Sequence, residues 1–84
     1  MKQEPYIDVD LHGMTSEQAI ERINLLVKRA NSSTYRIRIV HGFNRGTAIQ
    51  RAIYREFGHG QNPKVLRIVG GDNPGVTELI LREY

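Results

Sequence analysis

Three side chains in this 84-residue sequence could carry out acid–base chemistry beside a bound anion: Asp10, His12 and His41. Both histidines sit in His-Gly dipeptides, within Asp10-Leu11-His12-Gly13 and Val40-His41-Gly42. Each dipeptide ends a predicted strand and precedes a predicted helix. Such turns border helix amino termini, whose unpaired N–H groups and positive dipole end attract phosphate and other anions. Histidine is the side chain best suited to proton transfer near neutral pH. Asp10 and His12 are two apart on a strand and so project from one face, where a carboxylate can set the tautomer of the imidazole. His41, from a neighbouring strand, could complete an acid–base pair around one phosphate. The alternative is structural, with Asp10 and His12 capping the turn and the first helix.

The elements that must hold these groups follow from periodicity. From Tyr6 to Leu11 polar and apolar residues alternate, the pattern of a half-buried strand. Thr15 and Gln18 have capping-box spacing. They open a helix whose apolar stripe is Ala19, Ile20, Ile23, Leu26, Val27 and Ala30, ending near Asn31-Ser32-Ser33. Tyr35 to Val40 predicts a second strand, with Ile37 and Ile39 opposite Arg36 and Arg38. After the glycine-bearing turn His41-Gly42-Phe43-Asn44-Arg45-Gly46, Thr47 and Gln50 repeat the capping spacing. Ala48, Ile49, Ala52, Ile53 and Phe57 give the second helix its stripe. Val65 to Val69 and Val76 to Arg82 read as strands around a loop at 70–75. The order βαβαββ predicts an α/β two-layer sandwich: a mostly parallel, four-stranded mixed sheet with both helices on one face. Both His-Gly turns would then share the carboxyl edge of the sheet, where ligands bind in such folds. Residues 1–84 are expected to form one domain, with 1–4 a flexible amino terminus.

Composition narrows the function classes. The chain is 39% hydrophobic and 25% charged, as ordinary globular domains are. It has no cysteine, which removes disulfide and thiolate chemistry. Apolar runs are only a few residues long and the amino terminus is not an apolar signal segment, so a soluble cytoplasmic protein without a membrane partner is expected. The net charge is +3, and apart from Lys2, Lys28 and Lys64 every basic residue is arginine, the better fork for phosphate. Arg36 and Arg38 share the exposed face of one strand as a candidate basic strip, although solvated arginines on an open sheet are equally ordinary. Gly42 and Gly46 could cradle phosphate with backbone N–H groups. Arg45 and Arg51 could reach a phosphate from the turn and the second helix. Phe43 could stack on a base or pack on the adjacent helix. Asp8 and Asp10 share a strand face with His12 and, with Asp72 from a loop, could hold Mg²⁺ or Mn²⁺. No Gly-x-Gly-x-x-Gly fingerprint follows His41, so dinucleotide binding is not expected.

Asp10-Leu11-His12-Gly13, the turn beginning His41-Gly42, and Gly75-Val76-Thr77-Glu78-Leu79 occur in an order and spacing that resemble the Smr (small MutS-related) domain family of nucleases. The likeness extends over nearly the whole chain. One departure is Asn44, which stands where the family's His-Gly-x-Gly motif has its second glycine and places a side chain where phosphate would approach. The resemblance implies a fold like the carboxy-terminal domain of bacterial translation initiation factor three. It also implies endonucleolytic nicking or cleavage of RNA or structured DNA. Family domains occur attached to MutS-like ATPases and to RNA-binding proteins acting on messenger RNA or stalled ribosomes, so nucleic acid, a ribosome or a MutS-like protein are the partners implied. On this reading Asp10, His12 and His41 are catalytic, with His12 as base and His41 as phosphate ligand or acid, or the reverse. Gly42, Asn44, Arg45, Gly46, Arg51, Arg36 and Arg38 contact nucleic acid. Metal dependence stays open. The rival expectation is a non-catalytic nucleic-acid- or ribosome-binding module.

Overall fold

The computed structural model describes residues 5–43 and 47–82. Its elements are β1 (Tyr6–Asp10), α1 (Ser16–Arg29), β2 (Arg36–Val40), α2 (Thr47–Phe57), β3 (Arg67–Gly70) and β4 (Val76–Ile80). All six expected elements form, in the expected order. Residues 1–4, expected to be flexible, lie outside the described residues, as do Asn44, Arg45 and Gly46 of the second turn.

The α1 capping box forms as the spacing predicts. Gln18 donates its backbone N–H to the Thr15 hydroxyl and the Thr15 N–H is bonded to the Gln18 side chain, both at 3.1 Å. Two of the helix's orphan donors are thereby satisfied. At the other end, the Lys64 ammonium donates to the carbonyls of Val27, Lys28 and Ala30 at 3.0–3.1 Å, where the helix dipole favours a cation. Thr47, expected to cap α2, is instead the first helical residue. Ala48 of the predicted α2 stripe is exposed, while Ile49, Ala52, Ile53 and Phe57 are buried.

The sheet order is β1-β2-β4-β3. β1 pairs parallel to β2, whereas β4 runs antiparallel to both β2 and β3. Three strands thus share one direction, as a mostly parallel sheet requires. Yet β4 sits between β2 and β3, so β1–β2 is the sheet's parallel ladder. The short loop between β3 and β4 allows a hairpin but not a crossover, which fixes β4 as antiparallel. β4 also ends two residues earlier than its apolar pattern suggested. There Leu81 and Arg82 turn their N–H groups to the Tyr35 carbonyl, at 2.7 and 3.2 Å.

Ile37, Ile39 and Leu79 pack with Ile23, Val27, Ile49 and Ile53 in one core, so both helices cover the same face. The register leaves Asp8, Arg38 and Glu78 side by side on the other face. No helix among the described residues is long and apolar enough to cross a membrane. The same register sets Val40 between Asp10 and Val76. The carboxyl ends of β1 and β2 and the amino end of β4 therefore share one rim. The site is built there.

Candidate active site

Leu11 is buried and donates its N–H to the Val40 carbonyl at 2.8 Å, pinning the end of β1. His12 comes next and turns outward. Its backbone N–H donates to Asp10 Oδ1 at 3.1 Å, and its ring Nδ1 lies 2.6 Å from the same oxygen. A carboxylate only accepts, so Nδ1 carries a proton, and in the neutral ring Nε2 then holds the lone pair. The side chains are 71% and 56% exposed, so Nε2 is open to a solution ligand. The Asp10 carboxyl is held below the usual aspartate range, first by the bond from the His12 ring, then by its backbone N–H, against a small desolvation cost.

A depressed carboxyl pKa stabilises the fold above the unfolded-state value, and the stabilisation is lost as pH falls through the folded one. The dyad therefore persists through mild acid and opens only below the ordinary aspartate range. In a carbon-detected NMR titration, Asp10 is expected to titrate below 3.8, and to move up towards that value in His12→Ala. An Asp10 midpoint that does not respond to loss of the ring would contradict the bonding described.

His41 takes the opposite orientation. The sequence expectation set two imidazoles around one phosphate, but His41 is only 2% exposed and both its ring nitrogens are engaged. Nδ1 lies 2.9 Å from the Gly42 carbonyl and Nε2 2.8 Å from the Thr77 hydroxyl. The expected pair is thus not formed: His12 faces solvent and His41 faces inward, leaving neither of its nitrogens for a ligand. Gly42 is also committed. Its N–H and that of His41 both point at the Gly75 carbonyl, at 3.1 and 2.9 Å, so the Gly42 N–H expected to cradle phosphate is used within the fold.

Gly42 has φ of 92°, the left-handed region that favours glycine. A Cβ there would lie 3.7 Å from His12 Cβ, so the two turns are near neighbours. A Cβ on Gly75 would come within 3.2 Å of the Gly42 carbonyl carbon. Gly42→Ala is expected to destabilise the fold by about 1–2 kcal/mol through backbone strain. Gly75→Ala is expected to shift the Gly42 turn, and with it the His12 ring signals. Gly13→Ala, at φ 82° and facing open space, is expected to carry a similar backbone strain without displacing a neighbour. Urea unfolding and NMR spectra of the three variants check these outcomes.

The remaining candidates divide. Arg36 bonds Glu78 at 2.9 Å and lies 6.0 Å from the Tyr6 ring centroid. Arg38 bonds Asp72 at 2.9 Å. The expected basic strip is therefore an ion-paired ladder with its charge largely cancelled. The Asp72 carboxyl is held low, and the Arg38 guanidinium pushed up, chiefly by their mutual hydrogen bond. This commitment takes Asp72 from the metal set that Asp8 and Asp10 would need. Among the described residues no three His, Cys, Asp or Glu groups cluster to hold a metal. Arg51 is exposed on α2, and Phe43 is 65% exposed one residue beyond Gly42. Asn44, Arg45 and Gly46 lie outside the described residues.

The site-shaping roles of Gly75 and Thr77 were not assigned from sequence. A signal for Thr77 exists: it shares strand parity with core-facing Leu79, and a hydroxyl at such a position needs a buried partner.

No curated protein sequence matches the chain. Among solved structures, the crystal structure of the Smr domain of Thermus thermophilus MutS2 superposes with a TM-score of 0.78 at 23% identity. The alignment covers 92% of this chain and 99% of that one, a likeness of fold. The family model described as the Smr domain matches residues 9–72, which carry the Asp10–His12 dyad, the His41 turn and both helices. The chain belongs to the Smr domain family.

Proposed function

We propose that this Smr domain is an endonuclease that nicks or cleaves phosphodiester bonds in RNA or structured DNA at the Asp10–His12 rim. The observation that carries the reading is the exposed dyad, whose Asp10-bonded Nδ1 leaves Nε2 facing solvent as a proton acceptor. Family membership supports nucleic acid as the partner.

On RNA, Nε2 takes the proton of a 2′-hydroxyl and the freed oxygen attacks phosphorus. The bond to the 5′-oxygen breaks and that oxygen gains a proton from water, while the Nε2 proton neutralises the hydroxide left and restores the ring. The products are a 2′,3′-cyclic phosphate and a 5′-hydroxyl. On DNA, Nε2 instead takes the proton of a water that attacks phosphorus. One P–O ester bond breaks, and its leaving oxygen takes up a proton by way of solvent as the ring returns its own, giving one hydroxyl end and one phosphate end. Asp10 holds the tautomer and stabilises the imidazolium as it forms. The first turn of α2 carries no acidic side chain, which suits an incoming phosphate. Arg51 stands four residues into that helix, and Phe43 offers a ring for an unpaired base. Among the described residues the donor set does not fit a resident Mg²⁺ or Mn²⁺, so no step runs through one.

The test uses end-labelled RNA, the same RNA with 2′-deoxy at every position, and hairpin DNA. Products from RNA with cyclic phosphate ends support the 2′-hydroxyl route, and products from all three support hydrolysis. One observation favours a second reading, binding without turnover: with His41 turned inward, the rim offers a single free imidazole among the described residues. That reading predicts retention of the oligonucleotides, weakening steeply with salt, and no product.

A further inference from the structure

We infer that Thr77 is a positioning residue for His12, acting through His41 and the Gly42 turn; the inference rests on the reading of the Asp10–His12 dyad as the reacting group. Thr77 is fully buried on the core face of β4. Valine would fill that volume without the cost of burying a hydroxyl, so the hydroxyl has to be explained by what it bonds. Its oxygen lies 2.8 Å from His41 Nε2.

The direction of each bond follows from chemistry. The Gly42 carbonyl can only accept, so His41 Nδ1 carries a proton and donates to it across 2.9 Å. In the neutral ring Nε2 is then an acceptor, and Thr77 donates. The imidazole is held as one tautomer between a strand hydroxyl and a turn carbonyl. On its other side the turn is gripped by backbone. The His41 and Gly42 N–H groups converge on the Gly75 carbonyl, and a Cβ on Gly75 would press on the Gly42 carbonyl carbon at 3.2 Å. What this clamped turn presents to the solvent rim is Gly42, where an added Cβ would meet His12 Cβ at 3.7 Å. Thr77, His41, Gly42 and His12 thus follow one another from the interior of the sheet towards the reacting ring.

The experiment compares the wild type with Thr77→Val and Thr77→Ser, using nitrogen-detected NMR of the imidazoles alongside cleavage kinetics. In the wild type, His41 is expected as the Nδ1–H tautomer. In Thr77→Val the ring loses the Nε2 bond that helps to hold that tautomer, and the Gly42 amide and His12 ring signals move. There kcat falls roughly tenfold or more while KM changes less than about twofold. Thr77→Ser restores tautomer, signals and kcat. A purely structural threonine would lower thermal stability and leave kcat of the folded enzyme and the His12 signals unchanged, which overturns the inference. A wild-type His41 protonated at Nε2 alone overturns it without any variant, so poor folding of Thr77→Val does not shield it. If the wild type cleaves nothing, the nuclease reading fails separately, while the tautomer and the His12 shifts still decide whether Thr77 sets the ring.

Discussion

His12→Ala is expected to lower phosphodiester cleavage by roughly 10²–10⁴-fold while leaving the melting temperature within about 3 °C of the wild type. The two halves of this result come from one fact. The His12 ring is mostly in solvent and its hydrogen bond to the fold is the one with Asp10, so its removal opens no cavity. What disappears is the lone pair at Nε2, and no other free imidazole among the described residues stands at that rim to replace it. Asp10→Ala is expected to cost less, because the base survives and loses only its fixed tautomer. Initial rates on labelled RNA and DNA, beside thermal unfolding of the same preparations, check both halves. Cleavage at wild-type rate in His12→Ala would remove the base from the account.

His41→Ala is expected to show the reverse balance, losing roughly 2–4 kcal/mol of stability. Truncation empties the space of a buried ring and strands the buried Thr77 hydroxyl. It also frees the Gly42 carbonyl and loosens the turn against Gly75. A domain of this size has on the order of 4–13 kcal/mol in total, so the loss is a large share. Urea unfolding gives the number directly. His41→Ala would cleave poorly at temperatures where it is partly unfolded. A His41→Ala protein as stable as the wild type would contradict the buried, doubly bonded ring.

The contrast between the two histidines was readable in the strand pattern. Asp8, Asp10 and His12 share the parity of the open face, and Ile37, Ile39 and His41 share that of the core. Carrying the alternation one residue past the end of each strand sends His12 out and His41 in. The motif obscured this, because two His-Gly dipeptides invite the same role. The apolar stripes of both helices and the capping box at Thr15 were legible because each depends on residues close in sequence. The pairing of Arg36 with Glu78 and of Arg38 with Asp72 was not, since it depends on β4 lying beside β2, a choice made by long-range packing. The neutralised ladder follows from that placement, as does Gly75 closing over Gly42. The glycine-rich character of both turns was plain from sequence, but which N–H groups stay free for a ligand was not. That depends on the Gly75 carbonyl.

The most direct test is a titration of isotope-labelled protein with a non-cleavable oligonucleotide, followed residue by residue in backbone amide and imidazole spectra. If nucleic acid docks where the dyad faces solvent, the largest shifts fall on Leu11 to Met14, Gly42, Phe43 and the start of α2, with His12 Nε2 changing most among ring nitrogens. Shifts confined to the opposite end of the sheet, around Asn31, Lys64 and Arg82, or no shifts at saturating oligonucleotide, would contradict the account.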